Sequence, residues 1–182
     1  MKTLRYGHVM IMTDQDHDGS HIKGLVVNFI HKFWPELLKL NSKFVQQFIT
    51  PIVKCTKGKK SETFYTLPEY ETWKESNNEG KGWKVKYYKG LGTSTAKEAK
   101  EYFSNLDKNE IDFVWENDAC GDAIDMAFRK KRVEDRKQWL LSFKPGTSIN
   151  FDVDEMSYQN FINEELILFS MADNLRSIPS LV

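Results

Sequence analysis

The sequence predicts an α/β fold, on three observations. A short apolar run ends in a cluster of aspartates, a helical apolar period starts directly after it, and strand-like and helical patterns alternate over the first 105 residues before helical patterns take over. With 182 residues, 40% of them hydrophobic and 13% aromatic, the chain can bury a sizeable core and fits one to two domains.

Residues 8–13 (His-Val-Met-Ile-Met-Thr) form the apolar run and predict a buried strand with polar chemistry at its C-terminal end. From Ser20 the period changes. Ile22, Leu25, Val26, Phe29, Ile30, Phe33, Trp34 and Leu37 recur at three- and four-residue steps and predict an amphipathic helix over 20–39. Strands are expected over 48–55 and 62–67, flanking a Lys57-Gly58-Lys59-Lys60 turn, with a short helix begun by Pro68 and reaching Trp73. After the polar loop 76–82, Trp83, Val85 and Tyr87 alternate with lysines and Tyr88 as a strand does, ending at Lys89-Gly90-Leu91-Gly92-Thr93. Ser94 or Thr95 can cap a helix to Phe103, further helical patterns cover Asp118–Phe128 and Val133–Leu141, Pro145-Gly146 breaks the chain, and a last helix is expected over 158–169. A soft boundary near residue 105 divides an alternating segment, 1–105, from a mostly helical one, 106–182.

Charge and cysteine usage narrow the function classes. Lys+Arg and Asp+Glu balance at 26 each, so composition gives no basic signature and any nucleic-acid contact must come from local patches. Two cysteines, Cys55 and Cys120, are too few and too far apart for a disulfide framework or a Cys-x-x-Cys metal site, which agrees with a reducing interior. No stretch reaches the ~20 apolar residues of a membrane helix, and the N-terminal residues do not form a signal-peptide core. Val182 follows Ile178-Pro179-Ser180-Leu181 without a cap or polar tail, the pattern expected of a chain cut short.

Asp14-Gln15-Asp16-His17-Asp18-Gly19 is the strongest chemical signal. In an extended segment alternate residues point the same way, so Asp14, Asp16 and Asp18 can converge at the strand end. Three carboxylates that close repel unless a cation or protons neutralise them, and a hard divalent ion is the economical answer. Gly19 permits the sharp turn into the helix. A solvated aspartate turn is the plainer alternative. A calcium loop of the EF-hand type matches the first six positions, but Leu25 stands where the twelfth-position glutamate belongs, and a strand precedes it.

Met12-Thr13-Asp14-Gln15-Asp16-His17-Asp18-Gly19-Ser20-His21-Ile22-Lys23-Gly24 resembles the second acidic motif of the toprim domain of type IIA DNA topoisomerases, in its eukaryotic form nearly letter for letter. Tyr87 to Thr95 is similar to the family's turn that approaches cleaved DNA. Glu134-Asp135-Arg136-Lys137-Gln138-Trp139-Leu140 looks like its Asp-Arg-Lys-x-Trp-Leu segment, and Phe161 to Ser170 with Arg176-Ser177-Ile178-Pro179 looks like the segment leading to its winged-helix domain. The likeness implies a partial toprim module, Rossmann-like, over 1–105, followed by a helical segment over 106–182.

It implies further that Asp14 and Asp16 hold Mg²⁺, with Asp18 closer to a supporting partner than a ligand, and that a third metal-binding glutamate lies ahead of Met1. It also implies that Lys89, Arg136 and Lys137 meet the phosphates of double-stranded DNA, positioning the duplex without reading its sequence. The implied function is a part of the core of an ATP-dependent topoisomerase that cleaves and religates both DNA strands. The tyrosine nucleophile and the ATP-binding domain would lie outside this chain, which alone is expected to be inactive. A homodimer, a nuclear location and no membrane contact complete the expectation. Two other readings stay open: a different toprim enzyme, such as a primase or nuclease, and a non-catalytic DNA-binding module. The first has no reason to carry the Gly-Leu-Gly turn and the 161–179 segment together, and the second no need for clustered carboxylates.

Overall fold

The structure, a computed structural model, describes residues 4–40, 43–88, 90–146 and 149–177. The chain is α/β, as expected. The first strand, β1 (Val9–Met12), enters the acidic turn, and α1 (His17–Phe33) follows. Pro35 ends α1: Trp34, the residue before it, leaves the helical region at φ −145° and ψ 61°, and a separate turn of helix, α2 (Pro35–Leu38), begins. The continuous helix expected over 20–39 is thus two, because proline restricts its predecessor and supplies no N–H to the ladder.

The strand expected over 48–55 is likewise two, β2 (Val45–Phe48) and β3 (Val53–Lys57), in different sheets on either side of Pro51. β3 pairs with β4 (Lys60–Phe64) across a tight turn where Gly58 takes φ +59°, the left-handed value a primed hairpin turn demands. α3 (Leu67–Ser76) starts with Pro68 in its first turn and a full capping box between Thr66 and Glu69. β5 (Lys84–Tyr87) completes a three-stranded antiparallel sheet, β4-β3-β5, around Val53, Cys55, Phe64 and Tyr70.

α4 (Ala96–Ser104) and α5 (Leu106–Asn109) lead into β6 (Glu110–Val114), then come α6 (Asp118–Phe128), α7 (Val133–Leu141), β7 (Glu155–Ser157), α8 (Tyr158–Asn160), a π-helical turn over Phe161–Leu166, and α9 (Ile167–Ser177). The larger sheet runs β1-β2-β6-β7, with β1 parallel to β2, β2 antiparallel to β6, and β6 parallel to β7. Strands from both sides of residue 105 therefore share one sheet. Phe113 stacks on Tyr158 with ring centroids 5.3 Å apart and meets Phe161 edge-on at 5.2 Å, which seats α8 and the π turn on the sheet.

Which face of α1 turns inward differs from the expected apolar stripe. Gly19, Ser20, Lys23, Gly24, Val27 and Ile30 are buried, whereas Ile22, Leu25, Phe29, Phe33 and Trp34 are exposed. The helix is apolar on more than one side, so the period alone did not select the buried side. Gly24 lets that side pack closely: a Cβ there would stand 2.8 Å from Phe128 Cζ and 3.2 Å from Leu166 Cδ1, so those side chains would have to shift.

Candidate functional site

The acidic turn lies at the C-terminal end of β1, where α/β folds commonly gather ligands. Asp16 is the N-cap of α1, extended at φ −132° and ψ 178°, and its Oδ1 accepts from the Gly19 N–H at 2.7 Å. The Ser20 N–H donates to the Asp16 carbonyl at 3.1 Å, and the Ser20 hydroxyl oxygen lies 3.2 Å from the same carbonyl. Gly19 is forced by space, because a Cβ there would overlap the Asp14 carbonyl oxygen. Asp14 and Asp16 stay exposed. Asp18 pairs with Arg176 of α9 at 3.1 Å, and Arg176 also lies 3.7 Å from Asp173 and 5.9 Å from the Phe169 ring, on which His21 stacks at 4.1 Å. Among the described residues no three His, Cys, Asp or Glu side chains gather as a metal-holding cluster.

The second motif folds against the first. Gly90, at φ +152°, leaves no room for a Cβ, which would overlap the Asp14 carboxylate. The Gly-Leu-Gly turn thus starts directly against the acidic turn. Lys89 lies outside the described residues. A 3₁₀ turn over Leu91–Thr93 follows, closed by the Thr93 N–H and hydroxyl on the Gly90 carbonyl at 3.2 and 2.7 Å.

Glu98 ties this turn to its flanks. It closes a capping box with Thr95 at the start of α4, takes both Lys86 Nζ contacts at 2.9 and 2.8 Å, and accepts from the Tyr88 hydroxyl at 2.5 Å. Burial pushes the Glu98 carboxyl up, but the donors from Lys86, Thr95 and Tyr88 together outweigh it and hold it at about 2; burial and the same bond push Tyr88 well up. Because the folded value lies below the ordinary 4.5, the stability Glu98 supplies is whole above about pH 4.5 and is lost as pH falls toward 2. The melting temperature should therefore fall more steeply through that window in the wild type than in Glu98→Gln, and parallel curves would refute the link. Glu98 was missed as a site residue, though Thr95-Ala96-Lys97-Glu98 is a legible capping-box pattern.

The basic segment is mostly engaged within the protein. Arg132 reaches Asp122 and Asp135, each at 2.5 Å, and Arg129 pairs with Asp125 at 3.0 Å. Arg136 Nη1 donates to the Met126 and Arg129 carbonyls at 2.9 and 2.7 Å, closing the C-terminal end of α6. Lys137 is exposed, on an i,i+3 pair with Glu134 at 2.7 Å. Lys130 and Lys131 are exposed in the turn between α6 and α7.

Three comparisons bear on the chain. Residues 48–174 match the family described as the C-terminal associated domain of TOPRIM. DNA topoisomerase 2 of Arabidopsis thaliana is 60% identical over 185 residues, and human DNA topoisomerase 2-alpha 53% identical over 194; each alignment covers 100% of this chain but 12% of the relative. The chain therefore spans a small part of the curated relatives it matches. A crystal structure of the Plasmodium falciparum topoisomerase II DNA-binding, cleavage and re-ligation domain superposes with a TM-score of 0.92 at 57% identity, over 98% of this chain and 24% of that one.

Proposed function

Since the chain belongs to the family of the C-terminal associated domain of TOPRIM, we propose that it forms part of the DNA-binding and cleavage core of an ATP-dependent type IIA topoisomerase that transiently cuts and rejoins both strands of a duplex. The observation that carries this reading is the contact of Gly90 with Asp14, which sets the glycine turn on the acidic turn. Asp14 and Asp16 are the residues to hold Mg²⁺: both carboxylates are exposed at one turn, and an ion that keeps several waters needs only one or two of them. Bound there, Mg²⁺ would neutralise the charge that builds in phosphoryl transfer. The tyrosine nucleophile and ATP hydrolysis would come from outside this chain, within a nuclear homodimer. No helix among the described residues is long and apolar enough to cross a membrane. The test is Mg²⁺-dependent cleavage of supercoiled DNA by the full-length Arabidopsis relative carrying this chain in place of its counterpart; a hybrid that folds and binds DNA yet never cleaves would refute the reading.

For DNA binding the two basic residues should part company. Lys137→Ala should flatten the salt dependence of binding by roughly one unit, as loss of one phosphate contact does, and leave the melting temperature unchanged. Arg136→Ala removes the donor to two carbonyls at the end of α6 and should cost about 1–3 kcal/mol whatever it does to DNA. A full-strength salt slope in Lys137→Ala would assign Lys137 to a solvated helix face.

A further inference from the structure

Behind the acidic turn lies a polar network that the cleavage reading leaves unused. Lys23 of α1 and Glu165 of the π-helical turn form an ion pair with side chains only 3% and 1% exposed. Lys23 Nζ also donates to Gln47 Oε1 of β2 at 2.8 Å, and the Ser20 hydroxyl donates to Glu165 Oε1 at 2.7 Å. Glu165 Oε2 is buried with no hydrogen-bond partner among the described residues. Burying two charges and leaving one oxygen unmatched is a poor way to gain stability, since a well-packed apolar pair commonly does as well or better. Such a group asks for another reason, and π-helical turns often mark functional positions.

Connectivity supplies the reason. The Ser20 hydroxyl lies within hydrogen-bond distance of both Glu165 Oε1 and the carbonyl of Asp16, the residue that caps α1 through Gly19. We propose that Glu165 is a positioning residue for the acidic turn: through Ser20 it fixes the start of α1 and with it the carboxylates of Asp14 and Asp16, while Lys23 holds the Glu165 side chain in place. The proposal rests on the reading of Asp14 and Asp16 as the Mg²⁺ ligands. An apolar pair at 23 and 165 could fill the same space, but it could not accept the Ser20 hydrogen bond.

Removing one charge alone would strand the other, so the test uses pairs. In the full-length hybrid, Lys23→Met/Glu165→Gln keeps an acceptor for Ser20, whereas Lys23→Met/Glu165→Leu does not; Ser20→Ala removes the donor with the ion pair intact. Two readouts are taken: amide hydrogen exchange over residues 12–24 in metal-free protein, and the Mg²⁺ concentration for half-maximal DNA cleavage. The Leu pair and Ser20→Ala are expected to speed exchange in that segment and raise the Mg²⁺ requirement about 10-fold or more, with the Gln pair close to wild type in both. Exchange and Mg²⁺ requirement alike in the Gln and Leu pairs, or a Ser20→Ala protein at wild-type values, would overturn the proposal. Asp14→Asn in the same assay separates the two levels: an unshifted Asp14→Asn overturns the metal reading and this role with it, while a shifted Asp14→Asn beside an unshifted Ser20→Ala overturns only the role of Glu165.

Discussion

Alanine at Gly19 is expected to destabilise the protein and to abolish DNA cleavage in the full-length hybrid, whereas alanine at Gly90 should spare most of the stability and still lose the cleavage. The two differ in what the new methyl group meets. At Gly19 it overlaps the Asp14 carbonyl oxygen, a backbone atom that no rotamer change can move aside. Overpacking typically costs about 1–3 kcal/mol and occasionally more, and a methyl group driven into a backbone atom belongs at or above the top of that range, well beyond the gain of up to about 1 kcal/mol from replacing glycine within a helix. At Gly90 the overlap is with the Asp14 carboxylate, which can swing away. The protein then bears mainly the strain of an alanine at φ +152°, on the order of 1–3 kcal/mol, partly relieved by local backbone adjustment. The swing displaces a proposed Mg²⁺ ligand, so cleavage should drop by at least ~10-fold where the melting temperature moves by only a few degrees. Paired measurement of melting temperature and cleavage decides the matter. Full cleavage in Gly90→Ala would show that the position of Asp14 is irrelevant to the chemistry.

Those glycines also mark what the sequence could reveal and what it could not. The strand-turn-helix opening was legible because Val9 to Met12, Asp16 and Gly19 are each the residue type their local geometry demands, and local rules need no knowledge of the rest of the fold. The Gly90 contact with Asp14 was not, since nothing in spacing tells that two turns so far apart in the chain meet. β6 was overlooked between two helical patterns, in a segment read as mostly helical, although Ile111 and Phe113 alternate with Glu110 and Asp112 as a half-buried strand does. β7, three residues long, gives no period to read. Lys23 is buried because Glu165 of the π turn and Gln47 of β2 meet it, partners that no local pattern reveals. That Arg136 closes the end of α6 was not legible either, because a basic run looks the same whether it caps a helix or faces solvent.

The central claim, that Asp14 and Asp16 hold the ion used in cleavage, predicts a separation between chemistry and folding. Asp16→Asn keeps an N-cap, since asparagine caps about as well as aspartate, so stability should stay within a few tenths of a kcal/mol. Asp14→Asn removes one of several like charges at the turn, which in the metal-free state relieves repulsion rather than adding to it. Asp18→Asn breaks only an exposed pair with Arg176, worth about 0–1 kcal/mol, and should do the least harm to cleavage. The direct measurement is DNA cleavage against Mg²⁺ concentration for the three asparagine variants in the full-length hybrid, with melting temperatures taken alongside. The account predicts near-wild-type melting, cleavage by Asp14→Asn and Asp16→Asn strongly reduced and partly restored by added Mg²⁺, and a smaller loss in Asp18→Asn. Wild-type Mg²⁺ dependence in both Asp14→Asn and Asp16→Asn would contradict it.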